Sequence, residues 1–135
     1  MADAITPKAD SRLRSDVVAW LTTVRSDHRP QTSPIWFLWQ DGRFIIYSRP
    51  DTAKLRNITS TGTASLNLDG NGMGGDIVTI EADATIDEAV PPADQLPEYV
   101  AKYAEHMKRI GHTPESFATD YSVPIVLTIR RARAW

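Results

Sequence analysis

The segment PIWFLWQDGRFIIYS, residues 34–48, decides the fold of this chain. Its two apolar runs flank the dipeptide Asp41-Gly42, which is typical of a tight turn between two paired strands. We therefore predict an antiparallel hairpin made of residues 31–40 and 43–48. Pro34 has no backbone N–H, so the first strand should lie at a sheet edge, at a bulge, or where another group meets the backbone.

Further strands and helices follow from the apolar pattern on either side of this hairpin. Runs rich in β-branched residues predict four more strands, at residues 17–24, 64–68, 77–86 and 122–130. Apolar stripes at helical spacing predict helices at about residues 52–60 and 96–110, with one more turn near 115–119. No regular crossover helices separate the strands, which argues against a parallel sheet. We predict a mainly β protein: a six-stranded antiparallel barrel with helices at its ends.

The composition indicates one globular domain. The chain has 135 residues, and we expect a flexible N-terminus at residues 1–10 followed by a single domain at residues 11–135. A net charge of −2 gives no reason to expect binding to nucleic acid. No apolar run approaches the roughly 20 residues of a membrane span. The absence of cysteine excludes disulfides and thiolate sites. With no pattern of a secretory signal at the start, we expect a cytoplasmic protein.

Two familiar motifs carry little weight in this sequence. Gly70, Gly72 and Gly75 satisfy the spacing G-x-G-x-x-G, but a strand is predicted after them, whereas a dinucleotide site needs a helix there. The three histidines have no metal-ligand spacing, and no G-x-S-x-G motif is present. We therefore predict no metal site and no catalytic triad.

The segment Ser48–Asn57 is the most informative cluster of polar residues. It places a hydroxyl, three cations and an amide around the predicted start of a helix, with Asp51 or Thr52 as its N-cap. Helix N-termini bind anions, and arginine and lysine side chains bind phosphate. The alternative is an ordinary solvated helix face, and spacing alone does not decide between the two.

Three segments taken together resemble a known family: residues 32–37, residues 47–58 and residues 66–76. Their order and spacing are similar to those of the split-barrel flavin and deazaflavin oxidoreductases, the pyridoxamine 5′-phosphate oxidase-like superfamily. Within it, the chain most resembles the small branch that depends on coenzyme F420. The resemblance covers roughly residues 12–135.

The resemblance implies a six-stranded split barrel that forms a homodimer with two cofactor sites at the subunit interface. It implies that Pro34, Ile35 and Trp36 present backbone groups to the deazaflavin ring. It also implies that Lys54, Arg56 and Asn57 hold the cofactor phosphate, with Ser48 and Arg49 nearby. A loop from the partner subunit would cover the ring, and this loop corresponds to Met73, Gly74 and Gly75. Trp135 is expected near the interface.

The activity implied by the resemblance is hydride transfer from reduced F420 to a planar, conjugated small molecule. The cofactor supplies the difficult chemistry, and the protein supplies position and electrostatics. No catalytic residue is identified; solvent is the default proton donor, with Tyr47 or Ser33 as candidates. Two alternatives stay open: an FMN-binding flavoprotein of the same fold, and a non-enzymatic module that binds a cofactor or a tetrapyrrole.

Overall fold

The computed structural model describes residues 5–135, which form one curled antiparallel sheet with four α-helices around it. The helices are α1 (Pro7–Ser15), α2 (Ala53–Thr61), α3 (Pro97–Arg109) and α4 (Pro114–Asp120). The strands are β1 (Val18–Val24), β2 (Pro30–Trp36), β3 (Leu38–Gln40), β4 (Arg43–Ser48), β5 (Thr63–Asn67), β6 (Val78–Ile86) and β7 (Val123–Ala134). A short 3₁₀ turn, Ala93–Gln95, precedes α3. The mainly β class predicted from the sequence is confirmed.

The sheet curls into a split barrel because its two edges are joined by a single residue. The strand order is β2-β1-β5-β6-β7-β4-β3, so β2 and β3 lie at opposite edges. Only Phe37 separates β2 from β3 along the chain. Two strands this close in sequence cannot stand at the two ends of a flat seven-stranded sheet, since neighbouring strands are about 4.8 Å apart. The edges therefore meet at Phe37.

The sheet has seven strands, and the predicted number of six is wrong. The strand predicted at residues 31–40 is interrupted at Phe37, whose backbone bonds to helix α3 instead of to another strand. Its N–H donates to the Tyr103 hydroxyl at 2.8 Å, and its carbonyl accepts from the Lys102 ammonium at 2.9 Å. Pro34 lies in β2, an edge strand, in agreement with its missing donor.

Local sequence explains the turns on either side of β4. Gln40 pairs with Arg43 across the predicted Asp41-Gly42 turn, and both turn residues have positive φ, 55° and 74°. This is the geometry of a two-residue hairpin turn whose twist matches that of the strands. Beyond β4, helix α2 begins after Thr52 and ends at Gly62, where φ is 66°. Only glycine adopts this left-handed conformation freely, so the helix ends there.

The N-terminal segment is more ordered than predicted. Residues 1–4 of the predicted flexible N-terminus lie outside the described residues. Residues 7–10, also part of that prediction, instead form the beginning of α1. The helix starts there because the Thr6 side chain accepts from the Ala9 N–H at 3.1 Å and Pro7 occupies the first turn. The Trp39 indole then holds α1 against the sheet by donating to Asp10 at 2.9 Å.

Two apolar clusters form the core, and strand β4 contributes to both. Phe44 and Ile46 belong to a cluster that draws residues from all seven strands and therefore fills the barrel interior. Ile45 and Tyr47 point to the opposite face and pack with residues of α3 and α4. Because side chains alternate along a strand, β4 is buried on both faces. Its end, at Ser48, consequently lies between the barrel and the two helices.

Candidate functional site

A cavity of about 530 Å³ lies where the end of β4 meets β2, helix α2 and helices α3 and α4. This volume falls within the range of about 300–1,000 Å³ that is typical of small-molecule sites. The lining residues are Val18, Pro34, Ile35, Trp36, Tyr47, Ser48, Arg49, Thr52, Lys54, Tyr99, Ile110, Phe117 and Tyr121. Six of the eleven cofactor-binding residues predicted from the sequence are among them, and the structure brings these six together.

One wall of the cavity is polar and is formed by the segment from Ser48 to Lys54. The Ser48 side chain is buried, and its hydroxyl lies 3.0 Å from the Thr52 hydroxyl and donates to the Arg49 carbonyl at 2.8 Å. Thr52 precedes the first turn of α2 but makes no side-chain capping bond there. The first-turn N–H groups of α2 therefore lack a side-chain cap beside Lys54, which favours an anion at this helix end.

Lys54 is a half-buried cation without a partner. Within residues 5–135, its ammonium group makes no hydrogen bond or ion pair. Burial lowers the pKa of Lys54, because desolvation penalises the charged form. Across the described part of the chain, the lining contains two cations, Arg49 and Lys54, and no carboxylate. The cavity is therefore suited to an anionic ligand.

Another part of the lining is aromatic: Trp36, Phe117 and Tyr121 line the cavity and belong to a series of four stacked rings. Trp36 stacks on Tyr103 on one side, with 4.7 Å between ring centroids, and on Phe117 on the other, at 5.3 Å. Phe117 stacks in turn on Tyr121 at 4.4 Å. We call Tyr103, Trp36, Phe117 and Tyr121 the aromatic column. The column fixes the plane of Trp36 and connects β2 to both α3 and α4.

Three tyrosine hydroxyls near the cavity, those of Tyr47, Tyr99 and Tyr103, are poor proton donors. Tyr47 donates to the Pro91 carbonyl at 2.6 Å, and burial raises its pKa to about 12. Tyr103 bonds to the backbone of Phe37 and donates to the Val17 carbonyl at 2.7 Å. The Tyr99 hydroxyl is buried and has no partner among residues 5–135, and burial raises its pKa well above the usual value. The geometry therefore gives no support to Tyr47 as the proton donor.

Arg56 and Asn57 do not line this cavity in the single protomer. The exposed Arg56 guanidinium donates to the Asp51 carbonyl at 2.9 Å, on a separate face of α2. Asn57 is buried, and its amide donates to Thr23 Oγ1 at 3.0 Å and to Gln31 Oε1 at 2.8 Å. These two bonds join α2 to β1 and β2. Asn57 thus positions the helix that carries Lys54.

The glycine loop between β5 and β6 is held at its base and exposed at its tip. The Arg12 guanidinium donates to the carbonyls of Asp69 and Asp76, one at each end of the loop. The side-chain oxygen of Asn71 accepts from the N–H groups of Met73, at 2.7 Å, and Gly75, at 3.0 Å. Met73 is 88% exposed. Met73, Gly74 and Gly75 are absent from the lining of the cavity in this protomer.

Sequence reasoning missed the contribution of helices α3 and α4. Ile110, Phe117 and Tyr121 line the cavity. The sequence predicted the helix at residues 96–110 but not its place at the site, and it indicated only a short turn near residues 115–119, where α4 forms. The available signal was the start of α4, where Thr113 and Ser116 form a reciprocal capping box. It was weak because the third helical position usually holds glutamate or glutamine.

A family model described as pyridoxamine 5′-phosphate oxidase matches residues 5–135. The chain belongs to the pyridoxamine 5′-phosphate oxidase family. Its fold is that of the split-barrel superfamily, as the resemblance implied. The fold binds flavins, and the proteins that share it include oxidoreductases.

Solved structures of the pyridoxamine 5′-phosphate oxidase fold share the whole architecture at low sequence identity. An F420 reductase is 20% identical, with a TM-score of 0.68 over 92% of this chain and 94% of its own. A conserved hypothetical protein from Mycobacterium tuberculosis is also 20% identical, with a TM-score of 0.70 over 100% of this chain and 88% of its own. The heme storage protein HutZ from Vibrio cholerae is 15% identical, with a TM-score of 0.66 over 99% of this chain and 95% of its own. At these identities, the likeness establishes the fold alone.

No curated protein matches the sequence. Within residues 5–135, no helix is long and apolar enough to cross a membrane. The same residues contain no group of three or more histidine, aspartate or glutamate side chains that could hold a metal ion.

Proposed function

We propose that the protein is an F420-dependent reductase that transfers a hydride to a planar, conjugated small molecule. The observation that carries this proposal is the unpaired, half-buried Lys54 in a cavity with two cations and no lining carboxylate within residues 5–135. A buried cation without a partner is costly unless an anion joins it. The phosphate of F420 is such an anion, and the similarity in fold to an F420 reductase supports this choice.

The residues of the cavity fit a cofactor with a phosphate and a flat ring. Lys54, the uncapped first turn of α2 and the Thr52 hydroxyl form the side suited to the phosphate. The ring would lie along Pro34, Ile35 and Trp36, because an edge strand carries backbone groups that pair with no other strand. Asn57 sets the separation of these two sides by tying α2 to β1 and β2.

The chemistry belongs mainly to the cofactor: when bound in its reduced form, it supplies a hydride to an electron-poor conjugated bond. Catalysis by the protein would consist of holding the substrate flat against the ring at reacting distance. The aromatic column and Ile110 exclude water from one side of the cavity. The second hydrogen of the reduced substrate would arrive as a proton from solvent, because Tyr47 is committed to the Pro91 carbonyl and Ser33 is absent from the lining of the cavity in this protomer.

Titration of the purified protein with F420 and, in parallel, with FMN tests the proposal. Trp36 lines the cavity, so quenching of tryptophan fluorescence reports binding of either cofactor. Tighter binding of F420, followed by oxidation of reduced F420 with a quinone such as menadione, supports the proposal. Tighter binding of FMN identifies a flavoprotein of the same fold. Binding of a tetrapyrrole without turnover identifies a carrier module.

Substitution of Lys54 tests the phosphate contact directly. Charge-assisted hydrogen bonds contribute about 1.5–3 kcal/mol, so Lys54→Ala should weaken F420 binding about 10- to 150-fold. Arg56→Ala is the matched control, because this exposed cation lies on the same helix outside the cavity lining. Equal affinities in wild type and Lys54→Ala would remove the main support for the proposal. A loss in Arg56→Ala instead would agree with the sequence-based assignment of the phosphate site.

A further inference from the structure

Arg49 is an exposed cation whose guanidinium lies over an aromatic ring. Its guanidinium carbon lies 4.8 Å from the centroid of the Tyr121 ring, within the distance of about 6 Å at which cations and aromatic faces attract. Its guanidinium makes no ion pair and donates no hydrogen bond to any residue from 5 to 135. The side chain nevertheless lines the cavity. Its position is therefore set by Tyr121 and not by an acidic partner.

The aromatic column makes this position rigid. Tyr121 stacks on Phe117 with 14° between the ring planes, and Phe117 stacks on Trp36 with 16°. Trp36 stacks on Tyr103, whose hydroxyl is fixed by the backbone of Phe37 and Val17. An arginine resting on a fixed ring has lost part of its rotational freedom before any ligand arrives. Binding to it then costs less entropy than binding to a mobile surface arginine.

The hydrogen-bonding groups of Arg49 have no partner among residues 5–135. The five N–H groups of a guanidinium lie in one plane, and none of those of Arg49 donates to a residue from 5 to 135. A carboxylate can therefore bind in the plane, with two parallel hydrogen bonds. Ile110, which is 54% exposed, and Phe117 line the same cavity and offer apolar contact to a flat ring. An acidic group on a planar body matches both features.

The two cations of the cavity differ in depth. Lys54 is half-buried on α2, and Arg49 is exposed and rests against the residue that follows α4. A ligand already bound to Lys54 leaves Arg49 available at the surface to the molecule that binds second. Arg49 would therefore contact this second molecule and not the phosphate, although the sequence analysis grouped Arg49 with the phosphate-binding residues.

We propose that Arg49 determines substrate specificity by binding a carboxylate on the planar, conjugated substrate, with Tyr121 as the residue that positions it. This inference rests on the proposed function, in which the cofactor occupies the Lys54 side of the cavity. The preferred substrates are planar conjugated acids, and their neutral amides or esters bind more weakly.

A pair of probes that differ only in charge tests this inference. Naphthalene-2-carboxylate and naphthalene-2-carboxamide share their ring system, and calorimetry gives the affinity of each for the F420-loaded protein. Because charge-assisted hydrogen bonds are about twice as strong as neutral ones, we expect the acid to bind about tenfold more tightly than the amide. Arg49→Gln should abolish this preference. Tyr121→Leu should reduce it, and Tyr121→Phe, which keeps the ring, should preserve it.

The controls separate this inference from the proposed function. Arg56→Gln removes an exposed guanidinium outside the cavity lining and should leave the acid preference intact. Equal binding of the two probes to wild type, or a preference that survives Arg49→Gln, overturns the inference. So does a loss of F420 affinity in Arg49→Gln as large as in Lys54→Ala. If wild type binds neither F420 nor FMN, the proposed function fails, and titrations of the cofactor-free protein still decide the role of Arg49.

Discussion

At the scale of single residues, the titration of Lys54 predicts how cofactor binding depends on pH. Its pKa is lowered by burial, and a bound phosphate raises that pKa again, so binding takes up a proton wherever free Lys54 is deprotonated. Affinity should therefore be constant while free Lys54 is protonated and fall as pH rises through its lowered pKa. Fluorescence titrations with F420 between about pH 7 and pH 10 measure this fall.

Lys54→Arg provides the matched control for the pH dependence. Arginine keeps its charge throughout that range, so the variant should hold its affinity to higher pH than wild type does. If F420 affinity falls with pH in the same way in wild type and in Lys54→Arg, another group, on the protein or on the cofactor, is responsible for the pH dependence.

Asn57 is the second residue whose role the structure defines, and its loss should affect stability. Asn57→Ala removes two hydrogen bonds and leaves the Thr23 hydroxyl, which is buried, without this donor. Breaking buried hydrogen bonds costs about 1–3 kcal/mol, which urea denaturation measures. If Asn57 only contacted cofactor, as the sequence suggested, the free energy of unfolding of the cofactor-free variant would equal that of wild type.

At the scale of elements, the junction between β2 and β3 depends on helix α3. Tyr103→Phe keeps the ring in the aromatic column but removes the hydroxyl that accepts from the buried Phe37 N–H. An unpaired buried N–H costs about 1–3 kcal/mol, so the variant should unfold at lower urea concentration. Tyr121→Phe is the control, because the Tyr121 hydroxyl makes no such backbone bond among the described residues. Equal stability of Tyr103→Phe and wild type would show that water accepts from the Phe37 N–H in place of the Tyr103 hydroxyl.

The elements that the sequence predicted correctly are those specified by near neighbours. The Asp41-Gly42 hairpin, the end of α2 at Gly62 and the strands near residues 17–24 and 77–86 all follow from local turn chemistry or alternation. The break at Phe37 depends on Tyr103 and Lys102, more than 60 residues away along the chain. Local patterns contain no information about such contacts, so the sequence predicted one continuous strand there.

For the candidate site too, the sequence predicted the features that depend on residue types and missed those that depend on tertiary packing. The residue types at a helix start predicted an anion-binding cluster at Ser48–Asn57, and the structure places Ser48, Arg49, Thr52 and Lys54 of this cluster in one cavity. The separation of Lys54 from Arg56 depends on which face of α2 packs against the barrel. The contribution of Phe117 and Tyr121 depends on the docking of α4. Both are properties of tertiary packing.

At the scale of the whole molecule, we predict a homodimer. Met73 and Trp135 are exposed by 88% and 65%, and large apolar side chains exposed to this extent are common at interfaces between subunits. The glycine loop lies outside the cavity of its own protomer, so it can cover a cofactor only from a partner. Light scattering at micromolar concentration should give about twice the mass of one chain. A monomer that binds cofactor with full affinity would exclude a site shared between subunits.

The aromatic column also has an optical consequence. Its rings are 4.4–5.3 Å apart and nearly parallel, so their electronic transitions are held in a fixed asymmetric arrangement. Such an arrangement produces near-ultraviolet circular dichroism, which disappears when tertiary packing is lost. Two of the four rings come from α4 and the residue that follows it, and Trp36 comes from the strand beside the cavity. Undocking of α4 should therefore change the near-ultraviolet circular dichroism, which can be measured without any added label.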